Sequence, residues 1–194
     1  MELKGSETEK NLLKAFAGES QARMRYTYFS SVAKKEGYEQ ISAIFLETAE
    51  NEKEHAKIFF KHLKEGKGEM LEINASFPSG YISDTEENLR MAAEGEFEEH
   101  SKLYPDFAEI AKKEGFMEIA KSFEEIAEVE EEHEKRYRKL LSNIKEGIVF
   151  KREGEEVRWK CRNCGYLHGG NQAPDICPAC KHSQAHYELW CQNY

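Results

Sequence analysis

A short acidic and imidazole motif occurs twice in this chain and constrains its fold more than any other feature. Glu52-Lys53-Glu54-His55 recurs as Glu130-Glu131-Glu132-His133, and the interval between the two glutamates equals the interval between the two histidines. Positions i and i+3 of an α-helix share one face, so each copy can direct a carboxylate and an imidazole at one point. The repeat predicts two equivalent helices that face a common centre.

Apolar positions around both copies predict that each motif faces a core. Steps of three and four residues join most of these positions into one stripe per helix. The stripes contain Ile41, Ile44, Phe45, Thr48, Phe59 and Leu63 around the first copy, and Ile119, Phe123, Ile126, Tyr137, Leu140 and Ile144 around the second. A buried carboxylate needs a proton, a cation partner or a metal. One such pair is more often a hydrogen-bonded polar pair, whereas two copies favour a metal site.

Two further helices are expected to complete a bundle around this site. Bundle di-iron carboxylate proteins take one Glu from each of two helices besides the two Glu-x-x-His helices. Helical patterns and glycine breaks predict helices at 7–36, 38–65, about 85–114 and about 116–146. The connection at 66–84 is long, as in ferritin-like bundles. Glu19 falls on the apolar face of the first helix.

The third helix contains one residue more than the first. Gly18-Glu19 matches Gly95-Glu96, and Tyr26 matches Tyr104, but the interval between the matched tyrosines is longer by one residue than the interval between the matched glutamates. An inserted residue in a helix commonly forms a π-bulge, often at a functional site. We therefore predict a bulge between Glu96 and Tyr104 that turns Glu99 inward. The alternative is an ordinary proline kink that leaves Glu99 in solvent.

These patterns define a candidate site for two metal ions. Its predicted ligands are Glu19, Glu52, His55, Glu96, Glu99, Glu130 and His133. Five carboxylates against two divalent ions leave one negative charge, as do two trivalent ions with one bridging oxide. The other histidines, among them His100, and most of the remaining acidic side chains of the last helix are expected at the surface or in structural roles. Tyr26 and Tyr104 lie near the predicted ligands, and apolar packing with a satisfied hydroxyl is as plausible for them as a catalytic role.

The pattern changes after Gly147, where short strands and two cysteine pairs follow. Cys161-Arg162-Asn163-Cys164 is separated by twelve residues from Cys177-Pro178-Ala179-Cys180. Two Cys-x-x-Cys motifs predict a tetrahedral four-thiolate site, which suits either zinc or iron. A structural zinc ribbon is the alternative, and Cys191 is expected to be a free thiol. We predict two domains, residues 1–146 and 147–194.

Composition narrows the classes of partner. The formal net charge of −9 argues against general binding to nucleic acid or to an anionic membrane. No stretch approaches the roughly 18 apolar residues of a membrane span. The segment from Met1 to Lys10 is polar and lacks the apolar core of a signal peptide, so we expect a cytoplasmic protein.

Taken with their spacing, these motifs resemble those of the rubrerythrin family over essentially the whole chain. The resemblance rests on Gly18-Glu19-Ser20-Gln21-Ala22-Arg23, both Glu-x-x-His pairs, Glu96-x-x-Glu99 and Cys161-Arg162-Asn163-Cys164-Gly165-Tyr166. It implies a mainly α fold: a ferritin-like four-helix bundle with a long crossover between its second and third helices, followed by a small rubredoxin-like β domain. It also implies two irons in the carboxylate/histidine site and one iron held by the four cysteines.

The resemblance further implies a peroxidase of oxidative-stress defence that reduces hydrogen peroxide to water. Electrons would reach the di-iron site through the rubredoxin-type centre, from a rubredoxin or an NAD(P)H-dependent reductase, in a homodimer. Glu99 and His55 would exchange on one iron with redox state, and Tyr26 and Tyr104 would lie beside the cluster. These four are the expected catalytic residues.

Two other functions stay open, and one residue departs from the family pattern. A ferroxidase or iron-storage protein is the first alternative, although storage needs no electron inlet. A non-catalytic metal-binding protein with a zinc ribbon is the second. Lys181 stands where glycine is usual after the second cysteine pair. At positive φ a non-glycine residue costs roughly 1–2 kcal/mol.

Overall fold

Long helices form the N-terminal part of the chain. The computed structural model describes residues 2–154 and 156–193. The helices are α1 (Glu7–Lys35), α2 (Glu39–His62), α3 (Thr85–Glu98), α4 (Tyr104–Glu114) and α5 (Met117–Lys145). A π-helical turn, Glu99–Leu103, joins α3 to α4, so these two segments make one rod of a four-helix bundle. The predicted bulge is thus confirmed, and the second helix ends earlier than predicted, in a 3₁₀ turn at Leu63–Gly66.

Local sequence signals explain where the helices begin and end. The Ser6 side chain accepts a hydrogen bond from the backbone N–H of Glu9 at 3.0 Å and so caps the start of α1. Gly37 follows α1 with a φ of +86°, and Gly115 follows α4 with a φ of +87°. Only glycine adopts this left-handed conformation at little cost, and it allows the chain to reverse within a few residues. Each glycine therefore closes one helical hairpin.

The bundle core consists of two apolar clusters that lie on either side of the Glu-x-x-His level. Each long rod contributes apolar side chains to both clusters, with its acidic residues in between. One cluster contains Ala22, Tyr26, Phe29, Ala33, Ile41, Phe45, Ala49, Leu89, Ala92, Ala93, Tyr137, Leu140 and Leu141. The other contains Leu3, Leu12, Ala15, Phe59, Tyr104, Ala108, Ala111, Ile119, Ala120, Phe123 and Ile126. The acidic layer is thus enclosed by packed side chains.

The crossover between α2 and α3 has no regular structure, as predicted. Residues 67–84 contain neither helix nor strand. Phe77 of this segment lies over α1, and its Cε1 atom is 3.8 Å from the position that a Cβ on Gly18 would occupy. The crossover therefore covers α1 at Gly18, the residue that precedes Glu19.

A three-stranded antiparallel sheet organises the C-terminal part. Its strands are β1 (Val157–Cys161), β2 (Leu167–Gly170) and β3 (Tyr187–Leu189), in the order β2-β1-β3. Trp159 on the central strand lies opposite both His168 and Leu189. The core of this unit contains Trp159, Cys161, Ala173, Cys177 and Tyr187. The predicted mainly α fold with a small C-terminal β unit is confirmed.

Few contacts link the C-terminal unit to the bundle. The rings of Tyr38 and Phe150 stack, with centroids 6.2 Å apart and planes 9° from parallel. The Nε2 atom of His186 lies 3.8 Å from Oε1 of Glu39. The domain boundary at 146/147 stays a prediction. In the described residues, none of the helices has both the length and the apolar character needed to cross a membrane.

Candidate metal centres

The bundle brings six of the seven predicted ligands into one layer. Glu19 comes from α1, Glu52 and His55 from α2, Glu96 from the end of α3, and Glu130 and His133 from α5. All six are buried, with at most 8% of the residue surface exposed. The i, i+3 spacing on α2 and α5 places each glutamate beside its histidine, as helix geometry requires.

These residues form two overlapping groups of potential ligands. The first is Glu19, Glu52, His55 and Glu130, and the second is Glu52, Glu96, Glu130 and His133; in each, one ligand atom per residue lies within 4.8 Å of the others. Glu52 and Glu130 belong to both groups, as bridging carboxylates would. The internal repeat relates the two groups, because each residue of the first group has its repeat equivalent in the second. The layer therefore offers two equivalent metal positions.

Both imidazoles direct the same ring nitrogen at the shared carboxylates. The Nδ1 atom of His55 lies 2.9 Å from Glu52 and 2.8 Å from Glu130. The Nδ1 atom of His133 lies 2.8 Å from Glu130 and 3.3 Å from Glu52. Burial lowers the histidine pKa values, but the two carboxylates outweigh it and raise the pKa of His55 to about 10 and that of His133 to about 9. The layer thus favours a positive charge between its carboxylates.

The donor atoms of this layer are those that a metal pair requires. The close histidine–glutamate approaches lie outside hydrogen-bond geometry. Among the described residues, no hydrogen-bond partner meets Glu19 Oε2, either carboxylate oxygen of Glu52 and Glu130, Glu96 Oε2, or Nδ1 of His55 and His133. Buried polar atoms are normally satisfied, and each one that is not costs free energy. Carboxylate oxygens and neutral imidazole nitrogens are iron ligands in di-iron bundles, so the set fits two irons.

Two tyrosines fix the carboxylates at the ends of the layer. The Tyr26 hydroxyl donates to Oε1 of Glu96 at 2.5 Å, and the Tyr104 hydroxyl donates to Oε1 of Glu19. Burial, followed by the neighbouring carboxylates, raises the pKa of both tyrosines well above 10. Both hydroxyls therefore keep their protons and remain donors. Each leaves the second oxygen of its glutamate free to face the layer.

Glu99 lies outside both groups of ligands. It is half-buried in the π-helical turn, and its Oε1 atom is 3.9 Å from the position of a Cβ on Gly18. There it lines a cavity of about 330 Å³, whose walls also include Phe77, Tyr104 and Phe107. The predicted inward turn of Glu99 therefore brings it beside the layer, on the side of the cavity. Of Glu99 and His55, only His55 belongs to the first group of potential ligands.

The environment of Glu99 favours its protonated form. Loss of hydration, followed by the negative charges of Glu130 and Glu52, raises the pKa of Glu99 well above its usual value. The positive charges of Arg25 and His55 oppose this shift. The carboxyl group of Glu99 thus lies close to the negative charges of Glu130 and Glu52 but belongs to neither group of potential ligands.

One polar pair differs from the sequence-based expectation. The acidic residues of α5 were expected mostly at the surface, but Glu134 is buried, and its Oε2 atom lies 2.6 Å from Nε2 of His100, which was expected at the surface or in a structural role. The opposite oxygen of Glu134 accepts a hydrogen bond from Arg138. The spacing of four residues between Glu134 and Arg138 is the only local signal for this pair, because His100 is distant in sequence.

The four predicted cysteines meet at the end of the small sheet. Their sulfurs lie within 4.8 Å of one another, and Cys161–Cys180 and Cys164–Cys177 are each 3.8 Å apart. A tetrahedron with metal–sulfur bonds of about 2.3 Å has edges of about 3.8 Å. The arrangement therefore fits one tetrahedral metal ion. Cys191 is exposed and, within residues 2–154 and 156–193, forms no disulfide, as expected.

Backbone N–H groups surround the sulfurs in two equivalent sets. The N–H groups of residues 163 and 164 oppose the rise that burial causes in the pKa of Cys161, and those of residues 179 and 180 help to lower the pKa of Cys177. The N–H of Tyr166 opposes the rise that burial and the neighbouring thiols cause in the pKa of Cys164. The N–H of His182 is the largest of several causes that lower the pKa of Cys180 to about 5. Such N–H groups stabilise thiolates and tune the potential of a thiolate-bound iron.

Fold and site together define a class: a ferritin-like bundle with a carboxylate/histidine di-iron site, joined to a rubredoxin-like four-cysteine unit. The family model for rubrerythrin matches residues 10–141, and that for the rubredoxin-like domain of rubrerythrin matches residues 159–188. The chain belongs to the rubrerythrin family, as its motifs indicated.

Several relatives match nearly the whole chain. It is 62% identical to rubrerythrin of Porphyromonas gingivalis over 192 residues, which cover 99% of this chain and 94% of that protein. It is 58% identical to rubrerythrin of Nitratidesulfovibrio vulgaris over 187 residues, or 96% of each protein. Nigerythrin in a partially reduced state has a similar structure, with a TM-score of 0.64, 30% identity and coverage of 96% of this chain and 87% of nigerythrin. Nigerythrin has also been solved in an all-ferrous state.

Proposed function

We propose that the chain is a peroxidase that reduces hydrogen peroxide to two waters with two electrons and two protons. The observation that carries this proposal is the presence, in one chain, of a buried di-iron site and a separate four-thiolate site. Thiolate-bound iron is suited to one-electron transfer. An iron-storage protein needs no such electron inlet.

The cavity beside Glu99 supports an entry route for peroxide. Of the seven predicted ligands, only Glu99 is half-buried, and it lines this cavity together with Tyr104. When bound, the two irons would supply the electrons that break the O–O bond. The protein would hold the peroxide between the cavity wall and the layer and restrict access of water, because the surrounding helices and Phe77 enclose that side.

Protons can reach the departing oxygen from groups that line the cavity. Glu99 can hold a proton on its carboxyl group, since its surroundings disfavour the charged form. The Tyr104 hydroxyl lines the same cavity and, through its hydrogen bond to Glu19, holds a proton at the edge of the layer. Tyr26 holds the equivalent place at Glu96, on the other side of the layer. On this basis we assign Glu99, Tyr26 and Tyr104 as catalytic residues. We add His55, the histidine of the first ligand group, because its charge acts on Glu99.

We propose that electrons enter at the four-cysteine iron from a rubredoxin or an NAD(P)H-dependent reductase. Four reduced thiols require a reducing compartment such as the cytoplasm. A homodimer could place the inlet of one subunit near the di-iron site of its partner. Neither nucleic acid nor a membrane is needed for this activity.

Metal analysis and peroxide turnover test the proposal. Protein made with ample iron under anaerobic conditions should contain three irons per chain and should consume peroxide repeatedly with a reductase. Glu52→Ala or Glu130→Ala should lose di-iron occupancy and turnover while keeping the visible absorption of the thiolate-bound iron. The double variant Cys161→Ser, Cys164→Ser should keep the di-iron site and lose reductase-coupled turnover.

Other outcomes would identify the alternative functions. A colourless protein that contains only zinc would overturn the proposal and favour a zinc ribbon. Rapid oxidation and retention of added ferrous iron without peroxide turnover would favour a ferroxidase. Full activity of both glutamate variants would show that the assigned bridging pair is wrong.

A further inference from the structure

A closed set of contacts connects the π-helical turn to α5. Nε2 of His100 lies 2.6 Å from Oε2 of Glu134, and Nε of Arg138 donates to Oε1 of the same carboxylate. The Glu134 side chain is only 11% exposed and that of His100 only 16%. We call His100, Glu134 and Arg138 the α5 latch. The burial of the His100–Glu134 pair distinguishes it from the exposed ion pairs on the helix surfaces, most of which contribute little to stability.

An aromatic side chain extends the latch to the end of α3. The guanidinium of Arg138 lies 5.9 Å from the centre of the Phe97 ring. The ring of Phe97 meets His100 edge to face, with centroids 5.5 Å apart and planes at 87°. Contacts therefore hold both the start of the π-helical turn and the end of α3 against α5.

The latch joins the immediate neighbours of two residues at the metal layer. His100 directly follows Glu99, and Glu134 directly follows His133. Successive side chains on a helical turn point in different directions, so fixing His100 on α5 also fixes the rotation of the turn. That rotation decides where the carboxyl group of Glu99 lies relative to the layer and to the cavity.

The latch does not follow the internal repeat, whereas the potential metal ligands do. Six ligands at the layer obey the repeat, whereas the positions equivalent to Glu134 and Arg138 are Ala56 and Phe60. In α1, the counterpart of the rod that contains the π-helical turn, the helix is regular from Glu7 to Lys35. The latch therefore occurs only in the half of the bundle that contains the π-helical turn and Glu99.

We propose that His100 and Glu134 are positioning residues that hold the π-helical turn on α5 and thereby set the position of Glu99. A π-helical turn is rare and needs support from its surroundings. The latch supplies this support from outside the metal layer without contributing a ligand. The inference rests on the proposed peroxidase function for its kinetic readout alone.

The π-helical hydrogen bond itself gives a direct test. The backbone N–H of Tyr104 donates to the carbonyl of Glu99. In iron-loaded His100→Ala, amide exchange at Tyr104 should be faster by about tenfold or more. Exchange at Tyr26, the repeat-equivalent tyrosine in the regular helix α1, should stay unchanged. Peroxide kcat/KM should fall by about tenfold or more, because a small misplacement near the reacting centre is enough for such a loss.

Conservative and control variants separate positioning from general stability. His100→Gln can still donate a hydrogen bond to Glu134 and should retain most of the parent's kcat/KM, whereas Glu134→Ala removes the acceptor and should resemble His100→Ala. Lys112→Ala removes a 2.6 Å ion pair to Glu124 that joins α4 to α5 away from the π-helical turn. This control should leave both amide exchange at Tyr104 and kcat/KM unchanged, whatever its effect on Tm.

Two results would overturn the inference. One is unchanged exchange at Tyr104 in His100→Ala, and the other is an equal change in Lys112→Ala. If the parent protein does not turn over peroxide, the proposed function fails instead. The visible spectrum of the cobalt-substituted di-metal site then replaces the kinetic readout, and an unchanged spectrum in His100→Ala would also overturn the positioning role.

Discussion

Lys181 adopts a backbone conformation that suits glycine. Its φ is +63°, and its N–H donates to the carbonyl of Cys177 at 2.9 Å. The equivalent residue of the first cysteine pair is Gly165, with a φ of +81° and a 2.8 Å bond to the carbonyl of Cys161. The two loops therefore have the same shape, and only the second one holds a side chain in the left-handed region.

Replacing Lys181 by glycine should stabilise the four-cysteine unit. The left-handed strain would disappear, and part of the gain would be offset by the greater freedom of glycine in the unfolded chain, which leaves up to about 1 kcal/mol. Loss of the iron–thiolate absorption in denaturant measures this stability. Lys151→Gly serves as a control at an exposed position without positive φ. A midpoint that does not move, or moves downward, would contradict the strain argument.

The positions of some single residues could be predicted from the sequence, and those of others could not. The meeting of six predicted ligands in one layer follows from helix geometry and the repeat, because i and i+3 must share a face. The final position of Glu99 does not follow, since it depends on the rotation of one irregular turn. The contact between His100 and Glu134 could not be predicted because no spacing rule links two residues so far apart in sequence.

At the scale of elements, α1 contains a glycine where alanine would fit better. Gly18 lies in the interior of a long helix at ordinary helical φ, so its conformation does not require glycine. A Cβ there would meet Phe77 at 3.8 Å and Glu99 at 3.9 Å, which are ordinary contacts. The missing side chain instead leaves space between the crossover and the π-helical turn.

Gly18→Ala should make the bundle more stable and the enzyme slower. Alanine favours the helix by about 1 kcal/mol over glycine. The added methyl group narrows the cavity at Glu99 and should lower peroxide kcat/KM about threefold to tenfold, or roughly 1 kcal/mol of transition-state free energy. Thermal unfolding and steady-state kinetics measure the two effects. Ser20→Ala, on the same helix, should leave kcat/KM unchanged, and unchanged kinetics in Gly18→Ala would exclude this entry route.

Elements were predictable where the pattern was regular and also where the repeat was interrupted. The lengthening of the repeat by one residue between Glu96 and Tyr104 located the π-helical turn, because an extra residue must be accommodated in the helix. The path of the crossover over Gly18 was not predictable, since residues 67–84 have no periodicity. That segment covers one side of the candidate site, so the cavity could be found only in the structure.

At the scale of the whole molecule, removal of metal should make stability depend on pH. In the folded metal-free bundle the pKa values of His55 and His133 are about 10 and about 9, against about 6.5 in the unfolded chain. The folded state therefore binds more protons. Its stabilisation is complete below about pH 6.5 and is lost as the pH rises through 9 and 10. The raised pKa values of Glu19 and Glu96 act in the same direction.

Thermal unfolding of the chelated protein checks this sign. Its Tm should fall by roughly 5–10 °C between pH 6 and pH 10. The iron-loaded protein is the control and should not show this fall, because metal binding competes with protons and is favoured as the pH rises. A Tm of the chelated protein that is constant or rises over this range would contradict the assignment of the two histidines to a shared acidic layer.

The predicted domain boundary can be tested by truncation. A chain of residues 1–146 should fold as a helical bundle and bind two irons, because the contacts that it loses are few and peripheral. Chemically pre-reduced, it should reduce about one equivalent of peroxide but should fail in turnover with a reductase. The full-length Cys161→Ser, Cys164→Ser variant is the matched control. A truncated chain that does not fold would place the boundary elsewhere.

The crossed tyrosine bonds and shared glutamates have an evolutionary consequence. Each group of potential ligands contains three residues from one helical hairpin and one from the other, and each tyrosine bonds to a glutamate of the opposite hairpin. Two identical copies of a single ancestral hairpin could therefore have built the metal pair by association, as a symmetric dimer. Fusion of two such copies into one chain would then allow them to diverge. The inserted residue and Glu99 are on one side only, which a symmetric ancestor could not have achieved.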